Sequence, residues 1–103
     1  MDTLTLHKTD LNLLVALQAL LEERSVSRAA ERLHITQPAM SKTLSRLRAL
    51  FGDPLFTRSN RGMQPTPRAL ELAAELNSVL DDINRLVSGS RFDPYTYSGE
   101  VTL

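Results

Sequence analysis

The stretch SVSRAAERLHITQPAMSK, residues 25 to 42, constrains this chain more than any other part of it. It sets Ala29 beside Ala30, breaks at the polar run after Ile35, and resumes with Pro38. Alanines on the inner side of a helix let a second helix approach closely, because the side chains at the crossing set the separation. Proline fits the first turn of a helix, where its missing N–H would have no partner anyway. The pattern therefore predicts two helices packed tightly across a short turn. The earlier one is expected over SRAAERLH, with Ser27 as N-cap, Glu31 in the first turns, and Ala29, Ala30 and Leu33 inside. Ile35 is expected to plug the turn, with His34 in the left-handed backbone that His tolerates better than most residues. The later one runs through PAMSKTLSRLRALFG. Met40, Leu44, Leu47 and Phe51 recur there at spacings of four, three and four, a single apolar stripe ended by Gly52.

The flanks complete a domain. TDLNLLVALQALLEERS predicts a first helix capped by Asp10 or Thr9. Leu11, Leu14, Val15 and Leu21 lie on one side of it and Leu13, Leu17 and Leu20 on another, so two faces need covering. DPLFTRSNRGMQPTP has three prolines and one glycine and reads as a short β-hairpin, LFTR and GMQP around SNR. A long helix then starts with Thr66 as N-cap and Pro67 in first position and continues to Gly89. Ala69, Leu72, Leu76, Val79, Ile83 and Leu86 form a heptad seam, widened by Ala73, Leu80 and Val87. At 1.5 Å per residue the helix is roughly 30 Å long. Such a seam can pack on the first helix or on a second copy, and both are expected. The final stretch, SRFDPYTYSGEVTL, changes style, and EVTL alternates like the start of a strand of a further domain.

Charge is the second constraint. The 103 residues balance to zero, with twelve basic and twelve acidic side chains, yet the charges are segregated. Residues 24 to 68 hold nine basic and two acidic groups, a balance of +7, while the segments before and after carry −3 and −4. A basic block inside a neutral chain points to a polyanion partner; the alternative is a solvated basic face. Cysteine is absent, which removes disulfides, thiolate metal sites and a Cys nucleophile and is consistent with a reducing cytoplasm. The N-terminal MDTLTLHKTD lacks the pattern of a signal peptide, and no apolar run approaches the ~20 residues of a membrane helix.

Two close helices with short polar groups on the outer side of the second suit a helix-turn-helix, whose second helix enters the DNA major groove. Gln37, Ser41, Lys42 and Ser45 occupy that outer side. Gln can pair with adenine, Lys with guanine, and Ser can donate or accept, while Pro38 offers an apolar surface to a thymine methyl. The hairpin then reads as a wing carrying Arg58 and Arg61, suited to a minor groove or to phosphate.

The stretch DLNLLVALQALLEERSVSRAAERLHITQPAMSKTLSRLRALFGDPLFTRSNRGMQPTPRA, residues 10 to 69, resembles the N-terminal DNA-binding domain of LysR-type transcriptional regulators. S-x-S-R-A-A-E-R-L, T-Q-P-A-M-S and L-F-x-R…P-T-x-x-A carry the resemblance. Arg48, followed by FGDPLFTR, is similar to the subgroup of nodulation and aromatic-degradation regulators. The resemblance implies a mainly α fold: a winged helix-turn-helix of three helices and a short hairpin over residues 1–65, a linker and dimerisation helix over 66–89, and over 90–103 a hinge leading to an effector-binding domain. It further implies base contacts by Gln37, Pro38, Ser41 and Lys42. Ser27, Thr36, Ser45 and Thr66 would meet phosphates, Arg61 the minor groove, and Arg28, Arg46 and Arg58 the backbone more weakly. Leu72, Leu76, Val79, Leu80, Ile83 and Leu86 would form a dimer interface. Arg68 stands where the family is often acidic, and Arg32 and Arg48 are left to solvation or ion pairs. In family terms the whole protein is a cytoplasmic, bacterial regulator bound to an inverted repeat on double-stranded DNA, usually tetrameric, responsive to a small inducer, and in contact with RNA polymerase. This domain itself calls for no cofactor and no metal.

Two rival functions remain. A protein-interaction or dimerisation module would use the apolar seam without nucleic acid. An enzyme is disfavoured: His7 and His34 lie on different elements, Ser41 has no base within sequence reach, and neither a metal-ligand cluster nor a phosphate-cradling glycine loop is present.

Overall fold

In the computed structural model, which describes residues 10–89, four helices and one hairpin follow in the order α1 (Leu11–Glu23), α2 (Val26–Arg32), α3 (Gln37–Phe51), β1 (Phe56–Ser59), β2 (Gly62–Pro65) and α4 (Pro67–Ser88). The mainly helical, winged architecture expected from the sequence is the one observed. The expected hinge at residues 90–103 and His7 lie outside the described residues.

Each helix begins on a side-chain cap. The Asp10 carboxylate accepts from the Asn12 N–H at 2.9 Å, the Thr36 hydroxyl from Ala39 at 3.2 Å, and the Thr66 hydroxyl from Ala69 at 3.1 Å. Such caps satisfy N–H groups that have no partner within the helix. The cap of α2 is Ser25 rather than Ser27. Its hydroxyl accepts from the Arg28 N–H at 3.2 Å, and starting the helix there brings Val26 against the core. Ser27 falls inside the first turn, its hydroxyl 3.2 Å from that of Ser25. The helix α3 starts one residue before Pro38, with Gln37 in first position.

A single core holds the elements together. Leu17, Leu20, Met40, Leu47 and Leu55 are its largest fully enclosed side chains, and Ala29 and Ala30 lie at 0% and 2% exposure between α2 and its neighbours. Of the two faces of α1, the one with Leu13, Leu17 and Leu20 is buried, together with Ala16 and Ala19. Leu11 on the other face is exposed, and Leu14, Val15 and Leu21 are half-buried. Ala69 and Leu76 of α4 belong to the same core, so packing is continuous across the 65/66 boundary. His34 has the expected left-handed backbone, φ 59. Ile35, however, does not plug the turn: it is 40% exposed, and the half-buried Leu33 packs on the core instead.

The hairpin pairs Phe56 with Pro65 and Ser59 with Gly62 in antiparallel register. Its two-residue loop is Asn60–Arg61, and Gly62 takes φ 96, a conformation an L side chain rarely adopts. Among the described residues, no helix is long and apolar enough to cross a membrane.

The alanine pair generates a prediction. Ala29→Leu would force extra methylenes into a fully buried site, lowering stability by about 1–3 kcal/mol. A urea melt followed by circular dichroism would show the midpoint fall; an unchanged midpoint would mean α2 and α3 can separate freely.

Candidate nucleic-acid interface

The exposed side of α3 and the hairpin meet across an open cleft. Ser41, Ser45, Arg48, Thr57, Arg58 and Met63 are among the residues lining one part of it. Gln37, Ser27, Arg24, Arg58 and Ser59 are among those lining the next. No carboxylate lines either part. The structure therefore brings Gln37, Ser41, Ser45, Ser27 and Arg58 together around one acid-free concavity. Pro38, Lys42 and Arg46 on α3, Thr36 at its cap and Arg28 on α2 are exposed and lie outside the cleft lining. Arg61 stands at the hairpin loop, its N–H donating to the Ser59 hydroxyl at 3.2 Å. Arg58 sits in β1 opposite Met63 rather than at the tip.

Thr66 is placed differently from the other expected phosphate contacts. Its hydroxyl donates to Asp53 Oδ2 at 2.7 Å while accepting from the Ala69 N–H, so it joins the hairpin base to α4. The same carboxylate oxygen accepts from the Leu55 N–H at 2.8 Å, and the Thr66 N–H donates to the Leu55 carbonyl at 2.9 Å. These bonds secure a costly turn. Leu55 has φ 65 and is fully buried, and the Phe56 N–H closes a three-residue turn onto the Pro54 carbonyl at 2.7 Å. Positive φ at a non-glycine residue costs of order 1–3 kcal/mol and persists where neighbours over-determine it.

Arg48 is exposed, as a solvated helix face requires, and forms no ion pair among the described residues, but its guanidinium is also engaged. Its Nε donates to the Pro54 carbonyl at 2.8 Å and its Nη2 to the Phe56 carbonyl at 3.4 Å. The guanidinium thus ties α3 to the entry of the hairpin. Sequence reasoning missed this role because carbonyl acceptors in a loop leave no pattern in the residue types. Arg32 does form ion pairs, with Glu22 at 2.6 Å and Glu23 at 3.3 Å. The hydrogen bond that it donates to the Glu22 carboxylate is the main influence holding its guanidinium further above its ordinary range. Arg68 pairs with Glu71 at 3.3 Å and Arg85 with Asp82. Arg24, Arg28, Lys42, Arg46, Arg58 and Arg61 have no side-chain partner among the described residues.

The apolar seam of α4 divides along its length. Leu76 is buried inside the domain, and Leu72 and Leu80 pack half-buried against the core. Ile83 is half-buried, Val79 is exposed, and Leu86 and Val87 are 82% and 80% exposed. Leu11, Val15, Leu80, Ile83 and Val87 share an open groove between α1 and α4. Among the described residues, no cluster of His, Cys, Asp or Glu could hold a metal ion.

A turn that presents one helix beside a basic hairpin, with small polar groups in the cleft between them, defines a winged helix-turn-helix domain. Known proteins narrow the class. Residues 11–70 match the model of the bacterial regulatory helix-turn-helix protein, lysR family. Nodulation protein D 1 of Bradyrhizobium sp. (strain NC92) is 51% identical over 86 residues, covering 82% of this chain and 27% of that protein. The HTH-type transcriptional activator NahR of Pseudomonas putida is 46% identical over 99 residues, 95% of this chain and 33% of that one. Among solved structures, the BenM DBD–catB site 1 DNA complex superposes with a TM-score of 0.74 at 28% identity, covering 81% of this chain and 93% of that one. The chain belongs to the LysR family of bacterial regulatory helix-turn-helix proteins. It spans between 27% and 33% of the length of these two curated relatives.

The hairpin base can be tested directly. Asp53→Ala leaves the Leu55 N–H and the Thr66 hydroxyl without their acceptor, at a cost of about 1–3 kcal/mol. Amide exchange over residues 54–66 should accelerate more than exchange in α1; uniform acceleration would mean the hairpin has no separate tie.

Proposed function

We propose that this chain binds double-stranded DNA and reads a specific promoter sequence as part of a transcriptional regulator. The observation that carries this reading is the acid-free cleft between α3 and the hairpin, lined by Gln37, Ser41, Ser45 and Arg58. In this reading α3 enters the major groove with its N-terminal residues leading. Gln37, Pro38, Ser41 and Lys42 meet base edges, Ser27, Arg28, Thr36, Ser45 and Arg46 meet phosphates, and Arg58 and Arg61 follow the hairpin to the backbone or minor groove. Thr66 is assigned to the hairpin joint, where its hydroxyl already has two partners. The similar BenM domain was solved in complex with DNA, which supports DNA as the ligand.

A second copy of the chain is proposed on the groove between α1 and α4. The exposed Val79, Leu86 and Val87 and the half-buried Ile83 continue a seam whose earlier part packs within the domain. Two copies would place two recognition helices on the halves of an inverted repeat. The greater length of the relatives is the proposed setting for inducer binding, tetramer assembly and contact with RNA polymerase. A cytoplasmic regulator at the nucleoid is the corresponding location.

Anisotropy on a selected inverted repeat and on a scrambled duplex, across a salt series, tests the reading. Gln37→Ala and Ser41→Ala should each cost about 1–3 kcal/mol on the repeat and far less on the scramble. Equal losses on both would remove the base-reading assignment. Absence of binding to either duplex at low salt would return the apolar seam, as a protein-interaction surface, to first place.

For assembly, Ile83→Asp and Leu86→Asp should shift the sedimentation mass from dimer to monomer while helicity is kept. Leu76→Asp, by contrast, should unfold the domain, since that side chain is 6% exposed within its own core. A dimer that survives both changes at the open end would place the interface elsewhere.

A further inference from the structure

We propose that Arg24, together with Arg58, holds one phosphodiester of the DNA backbone in the part of the cleft between the α1–α2 corner and the hairpin. The inference rests on the DNA-binding reading above and adds to it a contact at a position that the helix-turn-helix pattern does not mark. Three observations converge on it.

The first is the sorting of the cations. Arg32, Arg68 and Arg85 are neutralised by carboxylates, and Arg48 is engaged by carbonyls. Of the six cations with no side-chain partner among the described residues, five are already assigned to DNA, and Arg24 is the sixth. The second is place. Arg24 lines the same cleft as Gln37, Arg58 and the hydroxyl-bearing Ser25, Ser27 and Ser59, with no carboxylate in the lining. Two guanidiniums with hydroxyl donors beside them suit the planar, two-pronged recognition of a phosphate oxygen pair. The third is the backbone. Arg24 ends α1 at φ 53, its N–H donating to the Leu20 carbonyl at 2.8 Å. Glycine is the residue that fits such a helix end without strain. A long cationic side chain at this position has a rationale in what the side chain meets. Its attraction to the carbonyl end of α1 is the structural alternative.

The two accounts separate on the salt dependence of binding. Arg24→Gly removes the cation while relaxing the backbone, so the thermal midpoint should stay level or rise. Binding to the inverted repeat and to the scramble should weaken equally, by roughly five- to tenfold at 0.1 M salt, with the log–log salt slope shallower by about one. Arg24→Lys should keep the slope. An unchanged slope in Arg24→Gly would overturn the proposal, and so would a slope in Arg24→Lys as shallow as in Arg24→Gly. Failure of the unsubstituted protein to bind either duplex would instead remove the DNA-binding reading on which the proposal stands.

Discussion

The close approach of α2 to α3 is the constraint on which the rest of the structure depends. Ala29 and Ala30 are enclosed almost completely, and they share a core with Leu17, Leu20, Met40 and Leu47. Small side chains at a crossing allow two helices to lie nearer than leucines would. With the inner stripe of α3 committed to that core, its other side is left exposed from Gln37 to Ala39 and at Ser41, Lys42, Ser45 and Arg46. The polar face is therefore a consequence of packing on the opposite side of the same helix. A helix that shares its apolar stripe with two neighbours is also held in one rotation about its axis, which fixes the residues it offers.

The hairpin and α4 depend on a second, smaller joint. Asp53, Leu55 and Thr66 form a closed set of hydrogen bonds around a turn that the backbone would not otherwise choose. Arg48 adds two bonds from α3 to the carbonyls that flank the turn. The result is that α3, the hairpin and α4 are registered to one another within a few residues. A proposed partner on α4 would then fix the spacing between two recognition helices, because little soft backbone lies between them. The strain at Leu55 is the cost of that sharp redirection, and burial of its side chain at 0% exposure helps to offset it.

The helices and the hairpin were legible in the sequence because each carries its own local signal. Met40, Leu44 and Leu47 announce the inner stripe of α3, Thr66–Pro67 the start of α4, and Gly52 the stop of α3. Two local readings failed for a shared reason. Ser25 and Ser27 are equally good caps by residue type, and burial of Val26 decides between them. Ile35 is apolar, but Leu33 reaches the core first. The joint at Asp53 and the carbonyl bonds of Arg48 were not legible, since both depend on a backbone conformation that no periodicity encodes. Likewise the heptad of α4 gave the helix but could not show that Leu76 faces inward while Leu86 stays open, since that division is set by tertiary packing. The residues around Arg48 resemble those of nodulation and aromatic-degradation regulators, and nodulation protein D 1 and NahR are among the proteins to which the chain is similar.

A chain of zero net charge can still attract a polyanion if its charges are arranged as they are here. The carboxylates Glu22 and Glu23 pair with Arg32, and Glu71 with Arg68, so these groups neutralise neighbours rather than the cleft. Asp81 and Asp82 lie about 20 Å along α4 from its first residue. The Debye length at physiological salt is about 8 Å, so their repulsion is largely screened before it reaches the hairpin. Six cations without side-chain partners among the described residues remain on α2, α3, the hairpin and the α1–α2 corner. Neutrality of the whole and basicity of one face are therefore compatible, and the salt dependence of binding should follow the unpaired cations rather than the net charge.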